Sequence, residues 1–485
     1  MRTLNQTPSP WLTLDEVIRV TAGRLAHTIE KRHASVSFSA CSIDTRSLSG
    51  GELFVPLPGT RADGHDFVVS ALEGKAAGSL ASDARPRDAG WERSGKPVVL
   101  VKDPLRALQA LGRHCRAKSG IPLTAVTGSN GKTTTKEMIA AVLGARYRVH
   151  RNRGNLNNHI GVPLTLTRLR QEHEMVVIEM GMSARGEIRE LALVSLPNVG
   201  VLTNAAAAHL ASLRTVEEVA RAKSELAEAL PRDGFLVLNA DDERLWNMNR
   251  GRPVPHKSYA LENRAADLIP TRVSLSAHGG ASFALADGTE FRLTLLGLHN
   301  VRNALAAILV GDHFGIPRAL AAEALGSLRP ERHRLELLES GGVFVLDDVY
   351  NANPASMLEA LRLLGAIETR GQRRAVLGDM LELGPDSERF HEEAGREVPR
   401  ESWLYVAGEY AGAVERGARA AGVSAARIRL FPSVPEMASA VEKDAKPGDL
   451  ILVKGSRGMR LEQVVERLVP GQKDAFDPMH AAGRN

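Results

Sequence analysis

The stretch that most constrains this chain is IPLTAVTGSNGKTTTKEMIAAVL, residues 121–143, where an apolar run passes through a Gly-Ser-Asn-Gly-Lys-Thr turn into a helix-forming segment. A strand that ends in a glycine-rich turn and opens a helix is a phosphate-binding unit, and it belongs to sheets with helices packed on their faces. Gly128 and Gly131 let the backbone turn tightly, so that N–H groups around Ser129, Asn130 and Thr134 can face phosphate oxygens while the helix dipole adds to them. Lys132 is suited to neutralise β and γ phosphates. Thr133 offers a hydroxyl to Mg²⁺, a hard cation that prefers oxygen. The strict G-x-x-x-x-G-K-T spacing is not met, because Val126 stands where the first glycine would be.

Beyond this loop, "LTAVTG", "EMVVIEMG", "NVGVLTNA" and "GFLVLNADD" are short apolar runs separated by helical patterns, which predicts a parallel sheet with covered faces. Polar alternation between about 258 and 297 predicts antiparallel strands appended to that sheet. A second strand-helix series, "GVFVLDDVYNANP", "RRAVLGDM", "SWLYVAGE", "RIRLFPS" and "DLILVKGSRG", follows the Arg-Pro-Glu-Arg joint near residue 330 and predicts another doubly wound domain. Residues 1 to about 118 mix short strands and glycine-rich turns before a helix, and Ser-Gly-Ile-Pro marks a joint. The predicted fold is therefore α/β in three domains, 1–118, 119–330 and 331–485.

Composition narrows the class. The 485 residues are 43% hydrophobic and 25% charged, and the net charge of +5 is spread along the chain, which argues against a dedicated nucleic-acid binder. Cys41 and Cys115 lie far apart without metal-site spacing, so a disulfide framework and a zinc centre are both disfavoured. No signal-peptide core and no apolar run near roughly 18 residues is present, which predicts a soluble intracellular protein.

Glu179 ends the strand "MVVIEMG", at the carboxyl edge where α/β sheets hold ligands, and is a candidate Mg²⁺ ligand. His209 in "NAAAAHLASL" is a softer candidate for the same ion, with helix capping as the alternative. In "TVEEVARAKSELAEAL" Lys223 falls on the stripe formed by Val216, Val219, Ala220, Leu226, Ala227 and Leu230. Desolvation there lowers the ammonium pKa and leaves free amine for chemistry such as addition to CO₂. A lysine snorkelling from a helix edge is the bland alternative.

These motifs, with "NRGNLNNHIGVPLTL", "TNAAAAHL", "VLNADD", "GLHNVRNALAA", "DDVYNANP", "LGDMLELG" and "VKGSR", resemble the ATP-dependent Mur ligases of bacterial peptidoglycan synthesis over nearly the whole chain. "NLNNHIGVP", "DDVYNANP" and "DMLELG" point to the branch that adds D-alanyl-D-alanine, and the Asp-Asn-Pro-Arg motif of the diaminopimelate-adding branch is absent. The resemblance implies a small α/β N-terminal domain for the UDP-sugar peptide, a central P-loop ATPase domain and a C-terminal Rossmann-like domain. It also implies a cytoplasmic enzyme that uses ATP and Mg²⁺ to phosphorylate the carboxylate of a UDP-N-acetylmuramoyl-tripeptide, whose acyl phosphate D-Ala-D-Ala then attacks; nothing in the sequence suggests an obligate assembly, so a monomer is expected. By the same resemblance Gly128 to Thr134 hold the ATP phosphates, Lys132 stabilises the transferring group, Thr133, Glu179 and His209 are metal positions, and Lys223 matches a lysine that is carbamylated in related ligases. Asn303, Arg334, Asp348 and Asn351 resemble adenosine-side contacts, with helix or turn capping as the alternative for the two asparagines. Asp44, Thr45 and Arg46 in "SIDTRS" resemble the sugar-peptide recognition turn, Arg46 being able to grip a phosphate or carboxylate bidentately. Asn155, Asn157 and Asn158 are candidates near the sugar or peptide, with Asx turns as the alternative. Lys454, Ser456 and Arg457 serve either the dipeptide carboxylate or the closing interface. The chain departs from the family at Ala206-Ala207, where Gly-Pro is common, which bears on the path to His209. The rival readings are another ligase of this fold, adding diaminopimelate, lysine or glutamate to folate, and a nucleic-acid-dependent P-loop ATPase. The latter is disfavoured by an aromatic content of only 4%.

Overall fold

A computed structural model describes residues 12–29, 35–59 and 62–471. The N-terminal unit is held by well-capped helices. Thr13 and Glu16 form a reciprocal capping box at the helix Leu14–Thr21. Asp103 caps the helix Pro104–Ser119, which Gly120 ends at φ +64°. Its sheet runs Arg24–Leu25, Val98–Val101, Gly78–Ser82, Leu53–Phe54, Cys41–Ser42, parallel except for the first edge pair.

The central sheet is parallel throughout, in the order His256–Tyr259, Phe235–Asn239, Val199–Leu202, Leu123–Thr127, Met175–Glu179, Val149–Arg151. After Leu123–Thr127 the chain goes to the far edge at Val149–Arg151, returns to Met175–Glu179 beside its starting strand, and then crosses to the other side. Such a reversal opens a crevice at the carboxyl ends of the strands, here beside Thr127 and Glu179. All four strands expected from sequence are present. The two edge strands were not foreseen, being short and only partly buried.

The antiparallel strands expected as an extension of this sheet form a separate one instead. It comprises Arg272–Leu275, Gly280–Ala284 and Glu290–Leu296. The last strand turns Phe291, Leu293 and Leu295 inward and Glu290, Arg292 and Thr294 outward. One apolar face thus needs cover, and it packs with the central core and the helix His299–His313.

The C-terminal sheet runs Glu336–Ser340, Val343–Asp348, Leu450–Lys454, Arg373–Gly378, Trp403–Ala407, Ile428–Phe431. Its five parallel strands are those read from sequence. Glu336–Ser340, antiparallel at the edge, was hidden in the expected joint because two glutamates break its apolar pattern. Among the described residues no helix is long and apolar enough to cross a membrane.

Candidate active site

The carboxyl ends of the central and C-terminal sheets meet at a cavity of about 360 Å³. It is lined by the loop residues Ser129 to Thr134, by Asn155, Asn157, Asn158, Glu179 and His209, and by Asn303, Arg334, Asp348, Asn351 and Lys454.

The loop differs in detail from the expectation. The Ser129 N–H donates to Asn204 O at 2.8 Å and the Asn130 N–H to Asn204 Oδ1 at 2.9 Å. The two foremost loop donors are therefore already engaged. The N–H groups opening the helix Lys132–Gly144, which have no intrahelical partner, are left for an anion. The glycines serve close approach: a Cβ at Gly128 would fall on Thr203 Oγ1, and one at Gly131 (φ +76°) would lie 2.5 Å from Asn303 Oδ1. Lys132 Nζ curls over the loop and donates to the carbonyls of Gly128 at 2.8 Å and Ser129 at 3.0 Å. Burial lowers the Lys132 pKa, Glu179 opposes that shift and Arg334 adds to it.

Glu179 is 2% exposed. Its Oε1 accepts from Asn157 Nδ2 at 2.7 Å, whereas Oε2 is buried without a hydrogen-bond partner. Burial pushes the carboxyl pKa up, but Lys132, Lys136 and Arg334 outweigh it and hold the net shift downward, so the ionised form is favoured. An ionised, orphaned buried oxygen beside a phosphate cradle is the donor a hard cation needs. Thr133 lies buried at the helix start in the same cavity. No group of three or more His, Cys, Asp or Glu side chains able to hold a metal occurs among the described residues. Mg²⁺ usually takes one or two protein oxygens and completes its shell with phosphate and water, a donor set that the Thr133 hydroxyl and Glu179 Oε2 match in kind.

Residues 37–116 match the description "Mur ligase family, catalytic domain", 126–311 "Mur ligase middle domain" and 333–457 "Mur ligase, glutamate ligase domain". Relatives called UDP-N-acetylmuramoyl-tripeptide–D-alanyl-D-alanine ligase are 37% identical in Bacillus subtilis, over 94% of this chain and 98% of the relative, and 34% identical in Escherichia coli, over 93% and 99%. The chain belongs to the Mur ligase family. A crystal structure of MurF from Acinetobacter baumannii superposes with a TM-score of 0.82 at 27% identity, covering 95% of this chain and 99% of that one. MurF ligase from Thermotoga maritima in complex with ADP gives 0.75 at 27% identity, over 88% and 96%. The three-unit α/β architecture is thus that of Mur ligases.

Within this Mur ligase, Lys223 is 3% exposed on the helix Val216–Glu228, as its place on the apolar stripe predicts. Burial drives its pKa well below the ordinary lysine value, the Lys132 charge pushes the same way, and Asp242 opposes. His209 lines the cavity at φ +57°, but its Nδ1 lies 2.8 Å from Glu382 of the C-terminal unit. The Ala206-Ala207 departure leaves an ordered path: Ala205 N–H donates to Asp242 at 2.6 Å, and Ala206 N–H to Ser129 Oγ at 2.9 Å.

The three asparagines of "NLNN" divide. Asn157 holds Glu179, Asn158 accepts from the N–H groups of Ile160 and Gly161 at the entry to a helix, and Asn155 faces the cavity. Asn303 is 6% exposed and accepts from Thr135 Oγ1 at 3.2 Å. The Arg334 guanidinium stacks 3.8 Å over the Tyr350 ring. Lys454 is 1% exposed, ion-paired with Asp348, and donates to Asn351 O at 3.2 Å. Ser456 Oγ accepts from Leu381 N–H and donates to Ala352 O, and Arg457 lies outside the cavity lining, 5.9 Å from the Tyr350 ring. The turn Asp44-Thr45-Arg46 does not reach this cavity, whose lining begins at Ser129. There Arg46 Nη2 pairs with Asp44 at 2.7 Å while remaining largely exposed.

Sequence reasoning missed Asn204 and Asn353. Asn353 exchanges two side-chain amide hydrogen bonds with Asn130, at 2.6 and 3.2 Å, joining the phosphate loop to the C-terminal unit. It also caps the helix Pro354–Ala366, and the Asn-Pro start with Ser356 three residues on is a readable capping signal. A neighbouring recess of about 240 Å³, lined by Asn204, Asp241, Tyr259 and Arg302 among others, continues the cavity between the same units.

Proposed function

We propose that this Mur ligase joins D-alanyl-D-alanine to UDP-N-acetylmuramoyl-tripeptide at the expense of ATP, through an acyl phosphate, giving the UDP-muramoyl-pentapeptide for peptidoglycan. The observation that carries the reading is the cavity that brings together an anion-ready helix start, a half-buried lysine over it and the unpartnered oxygen of Glu179. Relatives sharing at least a third of their residues over nearly their full length carry the name of this activity.

The chemistry follows from the groups present. A carboxylate has no viable leaving group, so its oxygen first takes the γ-phosphoryl group and ADP departs. The dipeptide amine then adds to the acyl carbon, loses a proton, and expels phosphate as the amide forms. The helix start and Lys132 draw charge toward the transferring phosphoryl oxygens, in a cavity that limits competing water. Thr133 and Glu179 would hold Mg²⁺, with His209 as a further candidate once released from Glu382. Bound there, the ion neutralises phosphate charge during transfer. Lys223, desolvated and with its pKa driven well below the ordinary lysine value, is suited to carry a CO₂-derived carbamate, a carboxylate on a lysine stem.

Asn303, Arg334, Asp348 and Asn351 are assigned to the adenosine side. Asn155, Asn157, Asp44, Thr45 and Arg46 are assigned to the sugar peptide, and Lys454 to Arg457 to the closing face. Division after residues 118 and 330 gives each role its domain, in a monomeric cytoplasmic enzyme. A coupled ADP-release assay across candidate amines tests the reading. Release should require both the UDP-sugar tripeptide and D-Ala-D-Ala; equal release with nucleic acid and no dipeptide would sink it.

A further inference from the structure

The strand that carries Glu179 loses its neighbour before it ends. Val149–Arg151 pairs with Met175–Val177 and stops, so the ladder does not reach Glu179 on that side. The side chain of Asn152, one residue past the shorter strand, takes over. Its Oδ1 accepts from Glu179 N–H at 2.9 Å, and its Nδ2 donates to Glu179 O at 3.1 Å and Leu156 O at 2.9 Å, all in a fully buried position. Asn152 O in turn accepts from Lys136 Nζ at 2.9 Å. Lys136 is 0% exposed and pairs with Glu137 Oε1 at 2.8 Å, while Glu137 Oε2 meets Arg151 Nε at 2.7 Å. Asn157 fixes the other end of the residue by holding Oε1.

We propose that Asn152 and Lys136 are positioning residues for Glu179: they fix its backbone where the sheet no longer does, so that Oε2 is aimed at the nucleotide-bound divalent cation. The inference rests on reading Glu179 as a ligand of that cation. The physical case is that a carboxylate binds a metal well only when its backbone and one oxygen are already ordered. Residues behind a ligand typically change metal affinity about 10- to 100-fold when removed. Asn152 supplies the backbone order with both faces of one amide. Lys136 locks Asn152 by its carbonyl, and neither residue is among those lining the cavity.

The experiment titrates Mn²⁺ into the full-length enzyme with bound ADP, following free Mn²⁺ by electron paramagnetic resonance, and measures ADP affinity separately in chelator. Asn152→Ala and Lys136→Met should each weaken Mn²⁺ binding about ten-fold while the chelated ADP affinity stays at the parental value. Parental Mn²⁺ affinity in a variant removes the role of that residue. An equal loss of Mn²⁺ and chelated ADP affinity removes it as well, because that is what general disruption of the loop produces. Should Asn152→Ala fail to fold, Lys136→Met decides. Glu179→Gln separates the two levels. Parental Mn²⁺ affinity in that variant overturns the metal reading together with the positioning. A loss there with none in Asn152→Ala and Lys136→Met overturns the positioning alone.

Discussion

At the carboxyl end of the central sheet, Glu179 keeps a buried oxygen without a partner and Lys223 is held in a setting that disfavours its charge. Across the same cavity, at the carboxyl end of the C-terminal sheet, Asp348 and Lys454 on adjacent strands are paired with each other. Both sheets are doubly wound and present strand ends to one cleft, yet among the described residues that line it the buried side-chain oxygen without a partner is that of Glu179. Unpaired buried groups cost stability and persist where a ligand completes them, whereas a paired set shapes and stiffens a wall. On the proposed function the central half is the place of chemistry and the C-terminal half its wall, the two joined in the structure through Asn353 and Asn130.

The sharpest way to break this contrast is Lys132→Ala. Removing the one ammonium over the cradle should lower tripeptide- and dipeptide-dependent ADP release about 10³-fold, the scale of losing a preorganised charge at the transferring group. Retained turnover would mean that the central half is not where charge develops. Lys223→Ala follows, with an expected loss of about 10²-fold in the same assay and partial recovery on adding formate or acetate. Full activity of the unrescued variant would remove the carbamate role and leave Lys223 a buried structural lysine.

The contrast also explains what was legible in the sequence. The loop and Lys223 were readable because their signals are local: a strand-turn-helix transition in one case, a helical period that puts a lysine among leucines in the other. The use of Ser129 and Asn130 was not, because the partner that engages their N–H groups, Asn204, is 74 residues from Asn130 and leaves no trace in the neighbouring sequence. Asn157 and Asn158 show the same limit at close range. Adjacent and chemically identical, they face a carboxylate and a helix entry, and only the turn geometry tells them apart. The missed strands, Val149–Arg151, His256–Tyr259 and Glu336–Ser340, are short edges of which one face is partly wet, so neither alternation nor a continuous apolar run marks them.

On the C-terminal side the contrast predicts a stability effect. Lys454→Met leaves Asp348 without its partner, and breaking a buried pair costs about 3–5 kcal/mol. Asp348 keeps 13% side-chain exposure, so the low end, about 3 kcal/mol, is expected in urea unfolding. A fall in turnover larger than Lys132→Ala produces, with unchanged stability, would instead make this wall a seat of chemistry.

The smallest effect comes from a charge cluster outside the cleft, which calibrates the other variants. Glu16 meets Lys118 Nζ at 2.8 Å and His114 Nε2 at 3.2 Å and accepts from Thr13 N–H at 2.9 Å. Burial raises its pKa, but those partners outweigh burial and bring it from 4.5 down to about 2. A carboxyl with a depressed folded-state pKa stabilises the fold above its unfolded value, and that contribution disappears as pH falls through the folded one. Glu16→Gln should therefore lower the thermal midpoint at neutral pH, with the gap to the parent narrowing from about pH 4.5 toward pH 2. Its ADP release at neutral pH should match the parent's, since no Glu16 atom lines the cavity. A gap that persists unchanged at low pH would mean that Glu16 acts by packing and hydrogen bonding in either protonation state. A loss of turnover would carry the incomplete charge of the central half into the N-terminal unit, and the division between working and structural charges would have to be redrawn there.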